Sequence, residues 1–175
     1  MTDTPQTEPR LVRDLMTVGV MTCAPDDPVP DLARALLEKD LEAIVVLDME
    51  GHAVGIVGRK ELLEAYAHGE PKSLTAEEVM HEGLPQAPPD IPLAAAAQFM
   101  LDQGQRVLFL THHAGGVEYP AAVFSCKHIL RHIALREGED LRDLGIKADR
   151  QTPIEQFIKR RDEARRRNIG NHDQS

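Results

Sequence analysis

The amino-acid sequence predicts an α/β fold of two pseudo-symmetric repeats, each in the order strand, helix, strand, strand, helix, with a C-terminal helical extension. Two observations carry this expectation. First, the apolar run Val54-Gly55-Ile56-Val57-Gly58 passes straight into a segment where Leu62, Leu63, Tyr66 and Ala67 recur at helical spacing. The stretch Ala122-Val123-Phe124-Ser125-Cys126-Lys127-His128 has the same outline and leads into Ile129, Leu130, Ile133 and Ala134. Second, the chain repeats itself. Pro25-Asp26-Asp27-Pro28-Val29 returns 64 residues later as Pro89-Asp90-Ile91-Pro92-Leu93, and Ile44-Val45-Val46 returns as Leu108-Phe109-Leu110. After Gly51 the spacing becomes 67, so Gly58 falls on Ser125 and Leu62 on Ile129, as a three-residue insertion in one loop would produce.

Each element has a local reason. A turn ending in Met (Leu15-Met16, Val79-Met80) precedes a short strand, expected near Val20 to Cys23 and near Leu84 to Ala87. Pro-Asp-x-Pro then opens a helix, because Asp offers side-chain acceptors to unpaired N–H groups and Pro fits the first turn. Leu32, Ala33, Leu36 and Leu37 are the expected buried stripe of this helix, and Ala96, Ala97, Met100 and Leu101 that of its counterpart. Strands follow at Ala43–Leu47 and Ala53–Val57, joined by the turn Asp48-Met49-Glu50-Gly51. Their counterparts are Val107–Thr111 and Tyr119–Phe124, joined by a longer loop from His112 to Glu118. The expected boundaries are 1–10 for a disordered lead-in, 11–70 and 71–136 for the repeats, and 137–175 for the extension. A unit of about 60 residues buries little core alone, so the repeats are expected to pack together.

Composition narrows the function classes. Aromatic residues are 3% of the chain and Trp is absent, so the interior must be built from aliphatic side chains. No apolar run approaches the roughly 20 residues that span a bilayer. Met1 to Arg10 has no apolar signal core. A cytoplasmic protein that does not enter the membrane is expected. A net charge of −9 repels phosphate backbones and argues against nucleic-acid binding. Cys23 and Cys126 form no CxxC pair and are expected to be buried, unreactive thiols. No GxSxG, Walker or HExxH motif occurs, so no catalytic residue is assigned and a non-enzymatic role is expected. His128 and His132, four apart on one helix face, would make half a zinc site, with His112 and His113 as the further ligands to recruit. Zinc needs three or four protein ligands, so no metal is assigned.

Taken in order, Asp14-Leu15-Met16-Thr17, Pro25-Asp26-Asp27-Pro28-Val29, Ala43-Ile44-Val45-Val46-Leu47-Asp48, Glu50-Gly51-His52-Ala53-Val54-Gly55-Ile56-Val57 and the closing Glu61-Leu62-Leu63 resemble the cystathionine-β-synthase (CBS) domain. Their duplication over Leu11 to Arg136 resembles a free-standing CBS pair, or Bateman module. The resemblance implies two copies with their sheets together, two clefts that often bind adenosine-containing ligands, and dimerisation into a flat disc. It also implies a ligand signature, Gly-x-x-Ser/Thr-x-x-Asp, whose hydroxyl and N–H groups hold phosphate while the Asp accepts ribose hydroxyls. That signature falls on Gly55, Gly58 and Glu61 in the first repeat, and on Ala122, Ser125 and His128 in the second. Glu61 keeps a carboxylate for ribose and Ser125 keeps a hydroxyl for phosphate, so the two requirements fall on different copies. Arg59, Lys60 and Lys127 are the cations at the two helix starts, where free N–H groups and the helix dipole also favour an anion. Arg106 is the cation expected to face phosphate across the cleft. Val20 and Leu84 are the apolar strand edges expected against the base.

The function expected from the resemblance is a regulatory module that binds AMP, ADP, ATP or S-adenosylmethionine in an inter-repeat cleft, as a homodimer and with no required cofactor. The alternative is a structural or protein-interaction module with degenerate sites, acting through dimerisation and its tail. On that reading Ser125 and Glu61 only cap or favour their helices, and the basic side chains are solvated. In the tail, Thr152-Pro153 starts a helix with Ile154, Phe157 and Ile158 on one face. From Lys159 to Arg167 it carries six Lys/Arg against Asp162 and Glu163. It either docks on the globule or grips an acidic protein partner.

Overall fold

The computed structural model describes residues 9–114 and 117–136. The expectations for the lead-in before Pro9 and for the extension, with Ile154, Phe157, Ile158 and the basic run, lie outside the described residues. In chain order the elements are α1 (Val12–Leu15), β1 (Thr17–Val18), β2 (Thr22–Cys23), α2 (Val29–Glu38), β3 (Ala43–Leu47), β4 (Ala53–Gly58) and α3 (Arg59–His68). The second repeat continues with α4 (Ala76–Val79), β5 (His81–Glu82), α5 (Leu93–Gln103), β6 (Val107–Ala114), β7 (Val117–Ser125) and α6 (Cys126–Ala134). Among the described residues no helix is long and apolar enough to cross a membrane.

Two sheets, β2-β3-β4-β5 and β1-β7-β6, face each other with helices outside. Along β3, Ala43, Val45 and Leu47 join the core between the sheets, while Ile44 and Val46 join the core under α2. β6 does the same, with Val107 and Phe109 between the sheets and Leu108 and Leu110 under α5. Burial on both faces is why these segments read as unbroken apolar runs rather than alternating ones.

The repeats exchange their first elements. β1 runs antiparallel to β7 (Thr17 opposite Val123), and β5 runs antiparallel to β4 (Gly55 opposite Glu82). Val12 and Leu15 of α1 are fully buried against Leu93, Ala96, Met100 and Phe124, and Ala76 of α4 completes the core around Leu32 and Leu36. Gly55 makes the second exchange feasible. A Cβ there would stand 2.6 Å from the His81 carbonyl oxygen and 2.8 Å from Met80 Sδ, too close for either to remain.

Three local expectations differ from the structure. The strand expected at Leu84–Ala87 is reduced to one parallel bridge, Gln86 to Phe109, because Pro85, Pro88 and Pro89 lack the N–H groups a longer ladder needs. The loop expected from His112 to Glu118 is a lengthened hairpin instead, with His112 opposite Tyr119 and His113 opposite Glu118. His112 meets Tyr119 edge-on, and His113 Nε2 lies 3.7 Å from a Glu118 carboxylate oxygen, so both rings serve the hairpin. The buried helix stripes are narrower than expected: Leu32, Leu36, Ala96 and Met100 are buried, whereas Leu37 and Leu101 point into solvent. Cys23 is buried, and burial with Asp27 nearby pushes its thiol up to about 12, which keeps it protonated and inert. Cys126 is half-buried.

Candidate functional site

Two clefts lie where the strand-to-helix turn of one repeat meets the strand start of the other. In the first, β4 ends at Gly58, and Glu61 curls back so that its Oε2 accepts the Gly58 N–H at 3.0 Å. A Cβ on Gly58 would sit 2.9 Å from the Glu42 carbonyl oxygen and 3.0 Å from Glu61 Oε2, so the absence of a side chain is what lets the turn close. The cleft encloses about 300 Å³ between Gly58–Glu61 and Gly104–Val107. Its cations are differently engaged. Arg59 lies 3.3 Å from an Asp40 carboxylate oxygen and donates through Nε to the Leu41 carbonyl. Lys60 reaches Glu64 on its own helix at 3.8 Å. Arg106 is exposed and has no ion-pair partner among the described residues.

The second cleft encloses about 290 Å³ between Thr17–Met21, Lys39–Ala43 and the start of α6. His128 repeats the part of Glu61: its Nδ1 accepts the Ser125 N–H at 2.9 Å and lies 3.0 Å from the Ser125 hydroxyl. That assigns the ring proton to Nε2, which donates to Thr17 Oγ1 at 2.9 Å. The ring also stacks on Phe124, with centroids 5.5 Å apart. Burial first, then the cations Arg131 and Lys127, push its pKa down to about 4, so at neutral pH it is an uncharged structural group. Lys127 Nζ is 2.7 Å from the Asp40 carbonyl oxygen, bonds the Asp40 carboxylate, and lies 3.4 Å from Glu42 Oε1. The Lys127 hydrogen bond and charge hold the Asp40 carboxyl below its ordinary range.

Residues 12–68 match the family model of the CBS domain. An uncharacterized protein of Methanocaldococcus jannaschii is 39% identical over 54 residues, which are 31% of this chain and 32% of that protein. The chain therefore spans about a third of the length of this relative. Among solved structures, the CBS domain pair of protein MJ0100, in complex with 5′-methylthioadenosine and S-adenosyl-L-methionine, superposes with a TM-score of 0.61 at 19% identity. That match covers 71% of this chain and 100% of the other. The chain folds as a tandem CBS pair. CBSX2 in complex with AMP shares the fold, with a TM-score of 0.54, 21% identity, and coverage of 70% of this chain and 95% of that one.

The CBS pair brings Gly58, Arg59, Lys60, Glu61 and Arg106 together in the first cleft, and Val20, Ser125, Lys127 and His128 in the second. It does not bring Gly55 or Leu84 to either. Gly55 is taken up by the approach of β5, and Leu84 packs against the inter-sheet core and lines a separate groove with Phe99 and Gln103. Glu61 and the Ser125 hydroxyl, the groups the sequence points to for ribose and phosphate, are buried and each makes a contact within its own helix start, through Oε2 of Glu61 and through the hydroxyl to His128 Nδ1. Asp40, Glu42 and Gly104 escaped the sequence reading. The repeat spacing that carries Arg106 onto Glu42 and Gly104 onto Asp40 was the signal for all three.

Proposed function

We propose that this CBS pair is a non-enzymatic regulatory module that binds an adenosine-containing, phosphate-bearing ligand in its first cleft. The observation that carries the reading is Arg106, exposed at the strand end facing the start of α3 and without an ion-pair partner among the described residues. Arg59 and Lys60 stand opposite it at the start of α3, where the positive end of the helix dipole favours an anion. Charge-assisted hydrogen bonds from such a set are stronger than neutral ones. A cavity of about 300 Å³ is at the small end of the range for small-molecule sites. The AMP held by CBSX2 and the adenosyl compounds held by protein MJ0100 support the ligand class. In calorimetry AMP should bind the wild type, and Arg106→Ala should weaken it about tenfold to hundredfold, the loss of one charge-assisted contact of about 1.5–3 kcal/mol. Absence of heat with AMP, ADP, ATP and S-adenosylmethionine at millimolar concentration would transfer the function to the interaction reading.

A homodimer belongs to the same proposal. The exposed apolar residues fall at equivalent positions of the two repeats: Leu37 with Leu101, Leu63 with Leu130, and Tyr66 with Ile133, all between 61% and 77% exposed. They lie on helices packed in pairs, α2 with α3 and α5 with α6. A two-fold arrangement of apolar helix faces suits a second copy of the same chain. Light scattering at micromolar concentration should give twice the 19.4 kDa chain mass, and Leu37→Asp with Leu101→Asp should return the monomer. Monomeric wild type would refute it.

A further inference from the structure

We propose that Asp40 couples the two clefts, so that a phosphate-bearing ligand in one weakens the binding of a second in the other. This rests on the ligand reading above, extends it to the second cleft and adds a link between the two. Both clefts carry cations that can meet an anion. Arg106 lines the first, and Lys39 and Arg131 line the second; none of the three has an ion-pair partner among the described residues.

The connection from α2 to β3 touches the starts of both α3 and α6. A single carboxylate oxygen, Asp40 Oδ1, lies 3.3 Å from an Arg59 Nη nitrogen and also bonds the Lys127 ammonium. Arg59 lines the first cleft and not the second, and Lys127 lines the second and not the first. The backbone adds to the link: the Leu41 carbonyl accepts from Arg59 Nε at 3.3 Å, and the Asp40 carbonyl accepts from Lys127 Nζ at 2.7 Å. Glu42 borders both clefts, with its Oε1 3.4 Å from Lys127.

The sign of the coupling follows from this sharing. A phosphate that engages Arg59 in the first cleft takes it from Asp40, whose charge is then left to Lys127. Lys127 is held harder and is less available to a second phosphate, and the negative charge already bound acts in the same direction. Linkage makes the effect equal from either cleft. Asp40 is largely exposed, and exposed ion pairs contribute little, so the expected coupling is about two- to fivefold in affinity. The second repeat lacks the bridge. Gly104 holds the place of Asp40 after its helix, with φ 61° against 51°, and brings no carboxylate. Glycine takes this left-handed conformation without steric cost, so Asp40 can be replaced by glycine with the backbone kept.

The test is AMP calorimetry on the wild type, Arg106→Ala, Asp40→Gly and the double variant, with a thermal scan to check folding and Arg131→Ala to mark which step belongs to the second cleft. The wild type should bind two AMP per chain and fill the second cleft with the first occupied, whereas Arg106→Ala should fill it with the first empty. The second-cleft affinity should be about two- to fivefold higher in Arg106→Ala than in the wild type. The same comparison made with Asp40→Gly present in both chains should give equal affinities. One AMP per wild-type chain, equal second-cleft affinities in the wild type and Arg106→Ala, or a difference that survives Asp40→Gly overturns the coupling while the ligand reading stands. No AMP bound to the wild type overturns both.

Discussion

Phe109→Ala is expected to lower the unfolding free energy by about 3–5 kcal/mol. Phe109 has no accessible surface and lies between the sheets among Val45, Leu47 and Ile56 of the first repeat and Val107 and Tyr119 of the second. Its backbone also holds the segment after β5, accepting the Ala87 N–H at 3.1 Å and donating to the Pro85 carbonyl at 2.8 Å. Truncation leaves the backbone bonds in place and opens a cavity where both sheets are already fixed by their ladders. The neighbours are mostly β-branched or small, with stiff χ1 angles, and cannot reach across to fill it. Urea unfolding followed by circular dichroism gives the number. A loss under about 1 kcal/mol would mean that the repeats do not depend on each other through this core.

The repeat, its element order and the two helix starts were legible because they are written in local patterns. Pro-Asp-x-Pro precedes a helix in both repeats, although Pro28 and Pro92 cap α2 and α5 with no side-chain bond and Asp27 instead accepts the Ala24 N–H in the turn before α2, and the spacing from Pro25 to Pro89 needs no structure to be seen. What escaped depends on contacts between distant segments. β1 and β5 have two residues each, too short for any periodicity, yet they decide that each repeat lends its lead-in to the other sheet. Gly55 falls on the expected ligand signature in sequence, and in the fold the space a side chain would take there is filled by the His81 carbonyl and Met80. Leu37 and Leu101 extend an apolar stripe in sequence but fall just off the buried face, and a helix-period pattern cannot say which edge of a stripe meets solvent. Glu61 and His128 were read as pointing at a ligand. Each is the third residue of its helix, where a side chain readily turns back to the N-cap N–H, and each accepts that N–H in the structure, a local contact that the sequence pattern leaves open.

Acidification from pH 6.5 towards 4 is expected to destabilise the CBS pair by about 3 kcal/mol through His128. The folded pKa, near 4, lies below the ordinary 6.5, so the unfolded chain takes up the proton first. The contribution is therefore complete above pH 6.5 and is lost progressively as pH falls to the folded value. The cause is structural. The neutral ring uses its Nδ1 lone pair for the Ser125 N–H and its Nε2 proton for Thr17, while an imidazolium would have no lone pair for the cap and would sit beside Arg131 and Lys127. His128→Gln separates this from the titration of other groups. Its amide oxygen can accept the same N–H, as Glu61 does in the first repeat, and it carries no charge in this range. Urea midpoints measured at intervals from pH 7 to 4.5 should fall steeply for the wild type and much less for His128→Gln. Equal slopes would remove His128 as the source, and the acid sensitivity would then belong to carboxylates elsewhere in the fold.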